Sequence, residues 1–278
     1  MTRNFVYGAA ALAFAATSPA WAQLSEDQPF SGFYVGLSGG YDVQSSDRGS
    51  AIGFDRDNNG TFNDPVLTAT GQDAFLPGYC DGRAQGPTQG PNGCENDRNR
   101  GSYYVRAGAD RQFGPWVVGV VGEFGRTDIR DYVSAFSTTP ASYTFGRGID
   151  WEASARLRAG FAAKTTLFYA TGGVGYAHIK HQFFTTNTAN AFEGNGDSKE
   201  LGFVVGGGIE QKITQNISFG LEYSYHDYHD DEFRVLVTQG SAAATNPFVL
   251  APNTSTTFSR LDPDFRWHSL RATLNYRF

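Results

Sequence analysis

Ile217–Asp227 reads ISFGLEYSYHD, and its alternation is strict: Phe219, Leu221, Tyr223 and Tyr225 share one face, while Gly220, Glu222 and Ser224 share the other. Period-two alternation of this length marks a strand, because successive side chains of a pleated chain point to opposite sides. The contents of the two faces are inverted for a soluble sheet. Bulky rings and aliphatics gather on one side, and glycine, serine and an isolated charge on the other. Small and charged residues suit a narrow interior, and rings suit lipid, with Tyr, Phe and Trp near the interfaces.

Seven further stretches repeat the pattern. GFYVGLSGGYD sets Phe33, Val35, Leu37 and Tyr41 against Tyr34, Gly36, Ser38 and Gly40. SYYVRAGADRQF sets Tyr103, Val105, Ala107 and Ala109 against Arg106, Gly108 and Asp110, and WVVGVVGEF sets Trp116, Val118, Val120 and Phe124 against Glu123. DWEASARLRAGF separates Trp151, Ala153, Ala155, Leu157 and Phe161 from Glu152, Ser154, Arg156 and Arg158. LFYATGGVGYAH, ELGFVVGGGIEQKI and FRWHSLRATLNYRF complete the set, and no helical period competes with it. Each stretch is near the roughly 9 to 11 residues with which a tilted strand crosses a bilayer.

The connectors separate a membrane barrel from a soluble sandwich. Short joins at Gly114-Pro115, Ala163-Lys164 and Thr214-Gln215-Asn216 alternate with long ones over Val43 to Arg100, Asp128 to Gly148, His181 to Ser198 and His229 to Asp264. Strands running up and down then place the short turns and both chain ends on one side and the long loops on the other, the asymmetry of an outer-membrane barrel. The expected fold is all-β: an eight-stranded antiparallel up-and-down transmembrane barrel with four long extracellular loops and three short periplasmic turns. The loops, rich in Gly, Asn, Ser and Thr, need hold no core, and short extensions are expected, for example at FRVLVTQ.

The inward faces collect Asp110, Glu123, Glu152, Glu210 and Glu222 with Arg106, Arg156, Arg158, Arg271 and Arg277, five acids with five arginines. An eight-stranded barrel is just wide enough for side chains to fill. The balanced set is therefore expected to pair across the lumen by charge-assisted hydrogen bonds, the alternative being solvated charges in a water-filled channel.

The N-terminus offers Arg3, an apolar run from Phe5 to Ala16 and Ala20-Trp21-Ala22, the parts of a secretory signal peptide over residues 1–22. The run is too short to span as a helix. Cleavage before Gln23 leaves residues 23–278 as the barrel domain, with 21 basic and 28 acidic residues and a formal charge of −7. That balance argues against nucleic acid as a partner. Cys80 and Cys94, an even pair in an exported chain, favour one disulfide, since a metal pair lacks nearby His and short spacing.

FSGFYVGLSGGYD near the N-terminus and the terminal SLRATLNYRF, with Leu270, Ala272, Leu274, Tyr276 and Phe278 at alternate positions, resemble the outer-membrane β-barrel family of short surface antigens, akin to opacity proteins and the OmpA transmembrane domain. The resemblance runs over Phe30 to Phe278 as a pattern and departs from it in the first loop, about residues 43–100, which is long and carries both cysteines. It implies a place in the outer membrane of a Gram-negative bacterium among lipid and lipopolysaccharide, recognition of the last strand by the barrel-assembly machinery, and a monomer. Members serve as envelope structure, adhesins, antigens or small pores.

Three candidate sites remain. FDRDNNGTFND places Asp55, Asp57, Asn59 and Asp64 around Gly60, the opening of a calcium loop, but position 12 counted from Asp55 is Val66 rather than the bidentate Glu of an EF-hand. A looser calcium site and a solvated acidic turn both fit, and no other cofactor is called for. YHDYHDDEF gathers His226 and His229 with carboxylates, yet strand geometry pairs His226 with Tyr228 and turns His229 away, favouring a polar rim over zinc or copper. A lipid A-modifying hydrolase needs Ser, His and a carboxylate together. His268 and Ser269 are adjacent and so face opposite ways, and nothing local marks a serine for His178 or His181. The leading expectation is a non-enzymatic, charge-plugged barrel that supports the envelope and displays loops. A narrow porin-like diffusion channel comes second and a lipid A-modifying enzyme third.

Overall fold

The computed structural model describes residues 28–44, 50–90, 93–97 and 99–278. The signal peptide expected over residues 1–22 lies outside them. The described strands, in chain order, are β1 (Gly32–Gln44), β2 (Ile52–Asp55), β3 (Gly78–Asp81), β4 (Arg83–Ala84), β5 (Cys94–Glu95), β6 (Arg100–Phe113), β7 (Trp116–Thr127) and β8 (Arg130–Ser137). The second half adds β9 (Ala141–Ala163), β10 (Thr166–Thr185), β11 (Ala191–Gly194), β12 (Ser198–Lys212), β13 (Ile217–His229), β14 (Arg234–Thr238), β15 (Ser255–Arg260) and β16 (Asp264–Arg277). No helix occurs among the described residues.

Eight of these close into a ring in the order β1, β6, β7, β9, β10, β12, β13, β16 and back to β1, every neighbour antiparallel. The seam joins first strand to last: Val35 faces Tyr276 and Leu37 faces Leu274. Parity in the sequence becomes direction in space. Leu157 and Leu201 are each 71% exposed on the outer wall, whereas Arg156 and Arg158, which flank Leu157 on β9, are buried. The short turns fall where the sequence places them. Phe113 pairs with Trp116 across Gly114-Pro115, and Gly114 takes φ +58°, a left-handed conformation that costs glycine little.

The long connections correct the expectation that the loops need hold no core. β9 spans 23 residues and β10 spans 20, well beyond a membrane crossing, and β8 pairs with the outer half of β9, so Asp128 to Gly148 is largely a hairpin arm. β11, β14, β15 and β2 form a second, four-stranded sheet that draws on the first, third and fourth connections. Together they make a cap. Its core joins Phe54, Phe75, Tyr143, Val235, Phe248 and Phe258, all buried. Phe54 and Phe75 stack at 4.4 Å, and Phe258 meets Phe54 edge-on at 4.9 Å. The residues of this core come from separated segments, so no single window of sequence shows a core period.

Below the cap, Ile129, Ile149, Ala177, Ile179, Tyr228, Phe265 and Trp267 form an apolar plate across the barrel mouth. At the short-turn end Phe30, fully buried, packs with Val117, Ala162, Leu167 and Tyr169. The lumen between them is polar.

Because Phe258 is 0% exposed at the centre of the cap, Phe258→Ala is expected to destabilise the cap by about 3–5 kcal/mol. Hydrogen exchange should show faster exchange in β2, β14 and β15 with β1 and β16 unchanged; uniform loosening of cap and barrel would contradict an independent cap core.

Candidate functional site

The lumen charges stack in layers. At the short-turn end Asp110 accepts hydrogen bonds from Arg158 at 2.8 Å and Arg277 at 2.9 Å. Glu210 pairs with Arg158 and accepts the Ser218 hydroxyl at 2.6 Å. Arg158 lies 3.9 Å over the Tyr169 ring, and Arg277 reaches the carbonyl of Phe30 at 2.7 Å, which ties the entering chain to the last strand.

In the middle layer Glu222 accepts from Arg106 at 3.1 Å, Arg156 at 2.9 Å and the Tyr169 hydroxyl at 2.8 Å. Glu123 pairs with Arg156, lies 3.5 Å from Arg106 and 3.7 Å from Arg271. Adjacent strands hold one of these pairs in register, Arg106 facing Glu123 across β6 and β7, whereas Arg271, which faces Glu222 across β13 and β16, reaches Glu123. The structure thus brings all ten sequence-selected lumen residues into the interior, with Glu152 in the layer above.

That upper layer contains groups that strand alternation alone does not single out. Glu152 accepts from the Tyr104 hydroxyl at 2.7 Å, the Tyr228 hydroxyl at 2.6 Å and His226 Nδ1 at 2.7 Å. His226 Nε2 lies 2.8 Å from the Ser224 hydroxyl and 3.2 Å from Arg271. Asp42 accepts from Ser102 at 2.9 Å and from Ser269. Ser224, His226 and Glu152 therefore form a serine–imidazole–carboxylate chain of the kind used for nucleophilic catalysis. It is sealed: the three are 0%, 1% and 1% exposed, and His226 stacks on Trp267 of the plate at 4.7 Å. The signal available in the sequence was the shared face of Ser224 and His226, two residues apart. Tyr228 joins His226 on that face and His229 is exposed, so the two histidines do not converge on a metal.

Between barrel and cap a second ionic group fastens the fourth connection. Arg147 donates to Asp131 at 2.7 Å and to the carbonyls of Pro263 at 3.2 Å and Asp264 at 2.6 Å; Arg260 joins Asp131 at 2.8 Å. His181 meets Asp230 at 2.9 Å and stacks on Phe233 at 4.5 Å. Burial by itself would raise the Asp131 pKa, but Arg260 and Arg147 outweigh it and hold the carboxyl below its ordinary value. Burial likewise opposes ionisation of Asp230, and His181 with Arg147 outweighs it.

In the first connection one carboxylate oxygen each from Asp55, Asp57 and Asp64 lies within 4.8 Å of the others. Backbone amides fix them: Asp55 accepts from Asn59 at 3.1 Å and Gly60 at 2.9 Å, and Asp64 accepts from Arg56 at 2.8 Å. Asn59 sits beside them: its side-chain oxygen accepts from the Thr61 amide and its nitrogen donates to Asp57. Val66, where an EF-hand has Glu, is buried in the cap core. Cys80 on β3 and Cys94 on β5 are joined as a disulfide, Cα atoms 6.2 Å apart. On β16, Leu270, Ala272, Leu274 and Tyr276 are exposed on the outer wall, as is Phe278 just beyond the strand.

The profile of the outer membrane protein beta-barrel domain matches residues 8–278. The 31 kDa outer-membrane immunogenic protein of Brucella melitensis biotype 1 is 26% identical over 215 residues, 72% of this chain and 80% of its own length. The 22 kDa outer membrane protein of Rhizobium leguminosarum bv. viciae is 31% identical over 83 residues, 30% of this chain and 36% of its own. Among solved structures, the outer membrane protein OprG of Pseudomonas aeruginosa aligns over 89% of this chain and 97% of its own with a TM-score of 0.47 at 12% identity.

The depressed carboxyls of Asp131 and Asp230 give the cap a defined acid response. Their contribution is complete above the unfolded carboxylate value, about pH 4, and is lost as pH falls through their lower folded values. Protease sensitivity of the fourth connection is expected to rise only below about pH 4, with Asp131→Asn already sensitive at neutral pH. A cap equally resistant at both would contradict the fastening role.

Proposed function

The chain belongs to the outer membrane protein beta-barrel domain family, and from that membership we propose a non-enzymatic protein that supports the envelope and displays a folded cap, its lumen plugged by paired charges. It is an outer-membrane barrel of a Gram-negative bacterium, surrounded by membrane lipid, with surface-antigen relatives. The four long connections face outward and the three short turns face the periplasm, as the barrel asymmetry implies. In this reading lipopolysaccharide borders the outer half of the wall, the barrel-assembly machinery reads the strand ending at Tyr276 and Phe278, and the barrel works as a monomer.

One observation carries the plug: the ten lumen charges are 6% exposed or less and lie in successive paired layers beneath the apolar plate. Side chains suffice to fill a ring of eight strands. Isolated charges taken from water are costly, whereas hydrogen-bonded opposite partners offset that cost. Purified protein in planar bilayers is expected to show no stable unitary openings. Reproducible openings would favour the porin-like diffusion channel instead. Removing two acids of the middle layer, Glu123→Ala with Glu222→Ala, is expected to produce steps of current.

The sealed position of Ser224, His226 and Glu152 supports the non-enzymatic reading over a lipid A-modifying enzyme, since a nucleophile must meet its substrate. Covalent labelling of Ser224 by a fluorophosphonate would count against it.

Calcium is the cofactor this reading adds. Asp55, Asp57, Asn59 and Asp64 supply oxygens of the type a hard cation takes, and weak extracellular sites of this kind bind at about 10⁻⁴ to 10⁻³ M. Millimolar calcium is expected to protect the first connection from protease, and Asp55→Ala with Asp57→Ala to abolish the gain; identical digestion with calcium or chelator sinks the idea.

A further inference from the structure

On the outer wall, strand parity continues past the apolar band and changes character on one arc. Arg126 follows Phe124 on β7, Trp151 ends the band on β9, His178 and Lys180 follow Tyr176 on β10, and Lys199 precedes Leu201 on β12. Register places Trp151, His178 and Lys199 in one row across three strands. The pairing of Gly125 with Glu152 sets Arg126 beside Trp151 on the next strand.

Beneath the cations the rings form a continuous platform. Phe124 and Trp151 are 5.9 Å apart, Trp151 and Tyr176 5.7 Å, and Trp151 and His178 6.0 Å. Asp150 lies within the arc, 3.0 Å from Lys180 Nζ and 3.4 Å from His178 Nδ1, and Asp197 lies 3.9 Å from His178 Nε2. Arg126, Lys180 and Lys199 are exposed and outnumber these two acids, on a chain whose formal charge is −6. The opposite arc differs: there Arg266 is engaged by both Asp227 and Asp264.

We propose that this arc binds the phosphorylated sugar headgroup of an outer-leaflet glycolipid, with phosphate on Arg126, Lys180 and Lys199 and a sugar ring against Trp151. Charge complementarity selects an anion. Position selects a lipid over a free anion, because the row sits at the upper edge of the lipid-facing band with Tyr176 and Leu201 directly below. An aromatic ring at that level has its apolar body in the bilayer and its edge among headgroups. The placement rests on the outward orientation of the cap.

The test uses the full chain refolded in a neutral detergent, with bis-phosphorylated lipid A, its dephosphorylated form and inorganic phosphate as probes, read by native mass spectrometry. Lipid A is expected to bind, and the other two to bind at least about ten-fold more weakly. The triple variant Arg126→Gln, Lys180→Gln, Lys199→Gln is expected to lose about ten-fold or more in affinity, and Arg266→Gln to keep it. Wild-type affinity in the triple variant overturns the site. Equal loss in Arg266→Gln reduces it to general charge attraction, and phosphate binding as tight as lipid A makes it a soluble-anion site; either result overturns the proposal. A membrane-impermeant amine reagent on intact cells separates the premise: lysines labelled only after the cells are broken overturn the orientation, whereas labelled lysines without phosphate-dependent binding overturn the headgroup site alone.

Discussion

Hydrocarbon offers a peptide group no hydrogen-bond partner, and this constraint organises the whole chain. A strand that crosses must be paired along both edges, so β1 pairs with β16 as well as β6, and the terminal Phe278 amide donates to the Phe33 carbonyl at 2.9 Å. Closure then commits every second residue to a narrow interior. Rings that would have formed a soluble core turn outward, and charges that would have met water are enclosed. Those charges must satisfy one another, which is why Glu222 serves two arginines and a tyrosine. Their net contribution to stability is small compared with the cost of removing one partner. Their stronger effect is on register: a slip of one residue would send each buried arginine into lipid.

The barrel was legible because its signal is local. Alternation within about ten residues names both faces of a strand without knowledge of its neighbours, and it placed the five acids and five arginines of the lumen. The same signal weakens for groups that are neither charged nor small. Tyr104, Ser224, Tyr228 and Ser269 occupy the polar face, but nothing in their own segments says they converge with Glu152 or Asp42. Parity also fails at one point. His178 pairs with Trp151 and Ile179 with Ile149, so Asp150 is an extra residue in β9. A bulge of this kind re-aims the neighbouring stretch of strand: inward positions are even on the barrel side of it, as at Glu152 and Arg156, and odd on the cap side, as at Arg147 and Ile149. The cap was illegible for another reason. Its apolar residues are sparse within each connection and dense only after the connections meet.

The serine–imidazole–carboxylate chain shows how little such geometry decides by itself. Strand spacing brings Ser224 beside His226, and ring closure brings Glu152 to the other imidazole nitrogen. The distances fit a nucleophile, yet all three side chains are buried among neighbours inside the barrel. Tyrosine hydroxyls on Glu152 and the Trp267 ring on His226 tie the same atoms into a wider network of buried contacts. Access, rather than alignment, distinguishes the two roles.

The cap core has a consequence for recognition by antibodies. Phe54, Tyr143, Val235 and Phe258 bring distant stretches into one packed unit, so neighbouring points on its surface belong to segments far apart in the chain, as the pairing of Ile52 on β2 with Arg260 on β15 illustrates. An epitope there is conformational. Serum raised against denatured protein or linear peptides would read tips and termini, while serum raised against the folded barrel would read a mosaic that disappears when the cap comes apart.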